Sequence, residues 1–343
     1  MKSVVNIPEN LSSRRILVAP LDWGLGHYTR CIPLIGQLMK QNNEVFVAAS
    51  GPGALLIQEA FPTIPILPIS GYDIHYPKNG RFFFLSMIRQ LPRLAVAVKK
   101  EEEWLQQQMN EYHFDIVISD NRLGMHTPDA HCVFITHQLA IQTGSNFLNT
   151  LVKRINYHFI EQFNECWVPD NEAEDNLSGL LSHPKKPPHL PIRYIGWLSR
   201  FHPNVCEKKY KLVFVISGPE PQRTIFENII FKLAPQLEGE MVIVRGLPEA
   251  TEHSNQLPQN ITAYHHLAAD QLSLMMQMAE WVVCRSGYST LMDLKAIAQK
   301  AILVPTPGQT EQEYLAQYLS DGQRFVMIHQ QALNCKSLLS AME

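Results

Sequence analysis

The sequence predicts an α/β fold: two parallel sheets in succession, each with helices wound between its strands. Short apolar runs recur along the chain, end in small or polar residues, and are separated by helix-patterned stretches. The alternation breaks once, at His183-Pro184-Lys185-Lys186-Pro187-Pro188-His189, and then restarts. Two similar α/β halves are therefore expected, residues 1–198 and 199–343, with ligand in the cleft between them.

The first strand is Arg15-Ile16-Leu17-Val18-Ala19-Pro20. It ends in Trp23-Gly24-Leu25-Gly26-His27, and a helix follows as far as Lys40. Residues 44–49 read as a second strand. Asp115-Ile116-Val117-Ile118-Ser119 is a third, ending at Asp120-Asn121-Arg122. Cys132-Val133-Phe134-Ile135 is a fourth, ending at Thr136-His137-Gln138. Beyond the proline-rich break, Tyr194-Ile195-Gly196 reads as a short edge strand, and residues 200–209 have a linker's composition. The second half opens with Leu212-Val213-Phe214-Val215-Ile216, which ends in Ser217-Gly218-Pro219-Glu220. Residues 241–244, Trp281-Val282-Val283 and Ala301-Ile302-Leu303-Val304 continue it, with a helix over residues 270–279.

Composition narrows the function. A length of 343 residues is a soft prior for two domains. With 45% hydrophobic and 18% charged residues the chain can build ordinary cores and shows no bias toward disorder. A net charge of −3 argues against a general nucleic-acid binder. No apolar run reaches membrane-spanning length, and residues 1–15 lack a signal-peptide core, so a cytoplasmic protein is expected. The six cysteines are scattered, without a C-x-x-C pair, and read as reduced thiols. Neither they nor the His and Asp residues have zinc-type spacing, and no Asp-x-Asp occurs; no metal and no cofactor are expected.

The most informative stretch is Val283-Cys284-Arg285-Ser286-Gly287-Tyr288-Ser289-Thr290-Leu291-Met292-Asp293, followed by Pro305-Thr306-Pro307-Gly308-Gln309-Thr310-Glu311-Gln312-Glu313. A buried strand leads through a small, glycine-bearing turn into a helix. Such a helix start offers backbone N–H groups and a positive dipole end to a phosphate. Asp293, one turn in, suits ribose hydroxyls. The second loop follows the next strand, and paired loops at the carboxyl ends of parallel strands are where open α/β sheets bind ligand. A nucleoside diphosphate carrying a sugar is the ligand these residues point to. The bland alternative is a helix capped by Ser286 or Ser289, with Gln312 and Glu313 as a solvated first turn.

These motifs resemble the glycosyltransferases of the GT-B fold, and most closely family 28, the family of the N-acetylglucosaminyltransferase of peptidoglycan lipid-intermediate synthesis. The likeness in the second half rests on Cys284-Arg285-Ser286-Gly287, Thr290, Asp293, Gln312-Glu313 and Ala316. In the first half it rests on Gly24-Leu25-Gly26-His27 and on His137-Gln138 with Gly144 and Asn146. The resemblance implies two Rossmann-like domains facing across a cleft, the nucleotide-sugar donor on the second and the acceptor on the first. It implies an inverting transfer, a uracil base held near Tyr264-His265-His266-Leu267, and a lipid-linked or small glycan as acceptor. It leaves open whether residues 330–343 cross back to the first domain. Three departures mark a relative rather than the peptidoglycan enzyme: Asp293 stands for the usual Glu, Ser217-Gly218-Pro219 for Gly-Gly-Ser, and Gln138-Leu139-Ala140 for an acidic-asparagine motif.

The expected donor-binding set is Gly24, Gly26, Arg200, Ser217, Gly218, Arg285, Ser286, Gly287, Tyr288, Ser289, Thr290, Asp293, Gln309, Gln312 and Glu313. Pro219 has no N–H, so Ser217 or Gly218 must supply that contact. Arg200 fits either an offset for the diphosphate charge or a surface linker position. Two residues compete as general base: His27, whose alternative is a capping or phosphate-contacting role, and Asp120, whose alternative is a turn cap. Arg122 would pair with Asp120 or touch substrate, and His137 is an acceptor-side residue or a satisfied structural histidine. Residues 81–89 with Lys99-Lys100 fit an interfacial segment contacting a membrane or a helix packed on the sheet; Glu101-Glu102-Glu103 favours the latter. The rival functions are a nucleotide-sugar hydrolase or epimerase, and a non-catalytic nucleotide-sugar-binding protein.

Overall fold

The computed structural model describes residues 6–8, 11–71, 83–142, 146–173, 175–247 and 257–343; of residues 83–92 and 146–147 only the backbone is described. Gly144, Arg81, Phe82 and the side chains of Asn146 and of residues 83–89 in the apolar segment lie outside the described residues. The chain divides into two compact bodies, with the break between Arg200 and Phe201.

The N-terminal body is a seven-stranded parallel sheet. Its strands are β1 (Arg15–Pro20), β2 (Glu44–Ala48), β3 (Ile66–Leu67), β4 (Ile116–Asp120), β5 (His131–Ile135), β6 (Glu165–Val168) and β7 (Ile192–Tyr194). They lie in the order β3-β2-β1-β4-β5-β6-β7. The intervening helices are α1 (Leu25–Lys40), α2 (Gly51–Ala60), α3 (Phe83–Tyr112) and α4 (Asn146–Ile160). Strands buried on both faces read as continuous apolar runs rather than alternating ones, and so Ile16, Leu17, Val18 and Ala19 are all inaccessible. Helix α1 buries Tyr28, Arg30, Cys31, Leu34, Ile35 and Leu38, the spacing of one helical stripe. The core on one face joins Leu17, Phe46, Val117, Phe134 and Val168 to Leu105 and Met109 of α3.

The C-terminal body repeats the plan with β8 (Tyr210–Val215), β9 (Met241–Val244), β10 (Ile261–Tyr264), β11 (Ala279–Cys284), β12 (Ala301–Leu303) and β13 (Phe325–Met327), in the order β10-β9-β8-β11-β12-β13. Its helices are α5 (Gln222–Leu233), α6 (Ala269–Gln277), α7 (Tyr288–Ala296), α8 (Thr310–Leu319) and α9 (Cys335–Met342). Helix α9 packs on this body's own core, where Leu338 joins Phe226, Ile230 and Leu237.

Both sheets reverse their winding direction at one seam. In the first the seam runs between β1 and β4, with Pro20 opposite Asp120. In the second it runs between β8 and β11, with Val215 opposite Cys284. Doubly wound sheets open a crevice at such a seam, at the carboxyl ends of the strands. The expected short strand at residues 194–196 is displaced: β7 ends at Tyr194, because Ile192, Arg193 and Tyr194 pair with Cys166, Trp167 and Val168.

Candidate active site

At the first seam the chain leaves β1 and enters α1 through Gly24, whose φ of 106° lies where only glycine is comfortable. A Cβ there would meet nothing, so the backbone angle and not crowding selects glycine. Across the seam, β4 ends in Asp120 and the chain turns sharply at Asn121, with φ 60°. The hydroxyl of Ser119 locks the turn, donating to the carbonyl of Arg122 and accepting from its N–H.

These two loops bring His27 and Asp120 together, His27 Nδ1 lying 3.1 Å from Asp120 Oδ2. Arg30, one turn further along α1, spans the carboxylate: Nε donates to Oδ2 at 2.8 Å and Nη2 to Oδ1. The same Nη2 is 2.9 Å from His27 Nδ1. Asp120 is wholly buried and Arg30 nearly so, while the side chain of His27 keeps 19% of its surface exposed. Burial pushes the Asp120 carboxyl up, but the charge of Arg30 and then that of His27 outweigh it and hold it well below the usual carboxylate range. Burial first, and the Arg30 charge second, lower His27 from its ordinary value against the opposing pull of Asp120. A neutral imidazole over an ionised, neutralised carboxylate results. Cys31, 3.6 Å from the same carboxylate, is a thiol pushed well up by burial and then by Asp120.

Arg30 escapes a motif search because it belongs to no glycine loop. Its signal is position: a charged residue inside the apolar stripe of α1, three residues after His27. Arg122, by contrast, does not pair with Asp120. It is buried, donates to Glu101 Oε1 at 2.7 Å and to the carbonyl of Pro20 at 2.8 Å, and so pins α3 to the β1 and β4 loops. Glu101 also accepts from the N–H of Gly124 at 3.0 Å. The acidic triplet at residues 101–103 thus contributes one buried structural carboxylate. His137, after β5, is buried and is among the residues that lower His27.

At the second seam, three neighbouring strands deliver the loops of the expected donor set: β8 leads to Ser217 and Gly218, β11 to residues 285–290, and β12 to residues 305–313. Gly218 is exposed with φ 110°, and Gly287 caps α7 with an ordinary extended backbone and no atom within 4 Å of a Cβ position. Neither serine side chain caps α7. Ser286 is inaccessible, and its hydroxyl donates to the carbonyl of Gln312 at 2.8 Å. Gln312 Oε1 accepts from Thr306 N–H at 2.9 Å, and Glu313 Oε1 accepts from Gly308 N–H at 3.0 Å. So Gln312 and Glu313 fold back over their own loop instead of projecting as a solvated turn. Tyr288 is buried; Ser289, Thr290, Asp293 and Gln309 are half-buried around this loop pair.

Arg285 departs from expectation. It is buried, stacks over Phe226 at 4.2 Å, and donates to the carbonyls of Val304, Pro305 and Gln222 and to Gln330 Oε1. It braces the two loops from beneath. Arg200 is half-buried and belongs to the N-terminal body, apart from the loops of β8, β11 and β12.

Residues 212–343 match the glycosyltransferase family 28 C-terminal domain. The C-terminal body therefore carries a glycosyltransferase family 28 domain. Among similar family 28 proteins, the Pasteurella multocida (strain Pm70) UDP-N-acetylglucosamine–N-acetylmuramyl-(pentapeptide) pyrophosphoryl-undecaprenol N-acetylglucosamine transferase is 29% identical over 38% of this chain and 37% of its own length. The same-named transferase of Actinobacillus pleuropneumoniae serotype 5b (strain L20) is 26% identical over 62% of this chain and 56% of its own. The similarity therefore spans between about a third and just over half of these relatives. Among solved structures, the glycotransferase of kitacinnamycin has a TM-score of 0.67 at 14% identity, covering 96% of this chain and 90% of that one. The spinosyn rhamnosyltransferase complexed with thymidine diphosphate has a TM-score of 0.62 at 18% identity, covering 93% and 87%. At such identities these likenesses establish the GT-B fold and nothing finer. Among the described residues no helix is long and apolar enough to cross a membrane, and no group of three or more His, Cys, Asp or Glu could hold a metal ion.

Proposed function

We propose that this family 28 chain transfers a sugar from a UDP-sugar to an acceptor hydroxyl with inversion, and that the step needs no metal. The observation that carries the reading is His27: a partly exposed imidazole whose Nδ1 is taken up by buried charged groups, leaving Nε2 for a substrate proton. The acceptor oxygen bonds to the anomeric carbon as that carbon's bond to the phosphate oxygen breaks. The electron pair leaves with the nucleoside diphosphate, and the hydroxyl proton passes to Nε2. Asp120 stabilises the imidazolium that forms. It is ionised and ion-paired in the resting protein, which fits a supporting role rather than that of the base.

The donor belongs at the second seam. The start of α7, capped by a residue without a side chain, suits the diphosphate, and its dipole offsets the developing charge without a cation. The names of these relatives support UDP-N-acetylglucosamine as donor and a lipid-linked glycan as acceptor. Work in the cytoplasm, at the membrane's inner face, belongs to the same proposal. The test is nucleoside diphosphate release from a panel of nucleotide sugars, with and without glycan acceptors, alongside thermal shift. Stabilisation by UDP-sugars with release that depends on acceptor is the expected result. Rapid release without acceptor would make the protein a hydrolase or epimerase, and no stabilisation by any nucleotide sugar would overturn the donor site.

A further inference from the structure

The geometry at the first seam contains a group that the transfer reaction does not require. A histidine backed by a carboxylate is sufficient for proton abstraction, and Asp120 supplies the carboxylate. Here Arg30 lies across both oxygens of that carboxylate and within 2.9 Å of the same ring nitrogen. Nδ1 cannot serve both neighbours at once. It can donate its hydrogen to Asp120 Oδ2, or accept one from Arg30 Nη2. Asp120 favours the charged ring, since imidazolium must carry a hydrogen on Nδ1. Arg30 opposes it by its charge; a hydrogen bond from Nη2 to a bare Nδ1 would leave the ring's hydrogen on Nε2, the neutral tautomer that cannot accept a proton there.

We propose that Arg30 is a positioning residue that tunes His27, offsetting the pull of the adjoining carboxylate toward the imidazolium form. The inference rests on the reading of His27 as the base, which must be neutral to act. Without Arg30, the buried carboxylate 3.1 Å away would pull His27 toward the charged form against the lowering by burial, and a protonated ring cannot take the acceptor's proton. With Arg30 present, the ring rests neutral. In the tautomer that can act, Nδ1–H donates to Asp120 Oδ2, Arg30 holds the carboxylate, and the bare Nε2 takes the acceptor's proton. The charged and titratable groups facing the ring are Arg30 and Cys31 on α1, Asp120 at the end of β4, and His137 beyond β5. Of these only Arg30 is a permanent cation, and Cys31 stays a neutral thiol.

The experiment is the NMR titration of His27 in the full chain without substrate, for the wild type and Arg30→Gln. The proposal expects the His27 midpoint to rise by about one pH unit or more in the variant. The acid limb of the kcat profile should move up by the same amount, with donor KM unchanged. Arg30→Lys should return the midpoint most of the way. An unchanged midpoint in R30Q overturns the proposal whatever the assay reads. A shifted midpoint in a protein without transferase activity leaves the proposal standing and sinks the proposed function instead. Should R30Q not fold, the comparison is D120N against R30Q/D120N, where no buried carboxylate is stranded. Removing the guanidinium must then raise the midpoint relative to D120N alone, and equal midpoints would refute the role.

Discussion

His27 and Asp120 stand 93 residues apart in the chain, yet the imidazole Nδ1 and carboxylate Oδ2 are 3.1 Å apart. The contact exists because β1 and β4 are neighbours in the sheet though distant in sequence, with Pro20 and Asp120 in register. A residue just past the end of one strand therefore faces the last residue of the other.

Replacing His27 should separate chemistry from binding. H27Q is expected to lower kcat about 100- to 10,000-fold, the usual worth of a general base. The thermal shift produced by UDP-sugars should persist, since the donor loops lie in the other body. Loss of that shift together with activity would show that His27 contacts the donor.

Stability should fall with acid in two stages. His27 titrates below its ordinary value of 6.5 in the fold, so below about pH 6.5 the unfolded chain takes a proton that the folded one refuses. Stability is then lost as the pH drops toward the folded value. Asp120 has the depressed carboxylate's pattern: its contribution is complete above about pH 4, the unfolded value, and is lost as the pH falls through its lower folded value. Urea midpoints of wild type and H27Q between pH 5 and 7 test the first stage, and the variant's curve should be flatter. D120N, which strands Arg30 in the interior, should cost about 3–5 kcal/mol at pH 7.

Two glycines should respond oppositely to a methyl group. G24A places alanine at φ 106° in open space and should cost about 1–3 kcal/mol of folding free energy through the backbone alone. G287A sits at φ −68°, which alanine accepts, and should cost about 1 kcal/mol or less. Its effect should fall on the donor, weakening nucleotide binding about tenfold by calorimetry. Unchanged affinity in G287A would remove the start of α7 from the donor site.

Arg285 supplies the test of a brace against a ligand contact. R285A leaves three carbonyls and Gln330 Oε1 without their donor and should cost about 3 kcal/mol or more in chemical denaturation. An unaltered denaturation midpoint with a raised donor KM would return Arg285 to the donor-binding set.

The strands around both seams could be read from sequence because parallel strands buried on both faces are continuous apolar runs; residues 15–20 and 241–244 carry no competing helical period. Edge strands are written more faintly. β7 holds an arginine, β13 is three residues long, and β10 alternates with exposed Thr262; their strand state is imposed by pairing rather than by composition. The site divides the same way. Glycine turns and strand-end polar residues announce themselves. What each polar side chain does depends on partners that only the fold supplies. Arg122 and Arg285 both stand in the right loops, and both are consumed by carboxylates or carbonyls beneath them. Arg30, outside every loop, reaches the reactive ring instead.

The two halves of this chain put the same corner of the same architecture to opposite electrical use. Where β4 ends, the corner is filled by an anion, which needs a cation beside it and a proton carrier above it. Where β11 ends, the next residue is a cation, locked by neutral carbonyls into a platform for two loops. One backbone plan, used twice, thus holds a carboxylate between a histidine and an arginine in one copy and forms a rigid floor in the other.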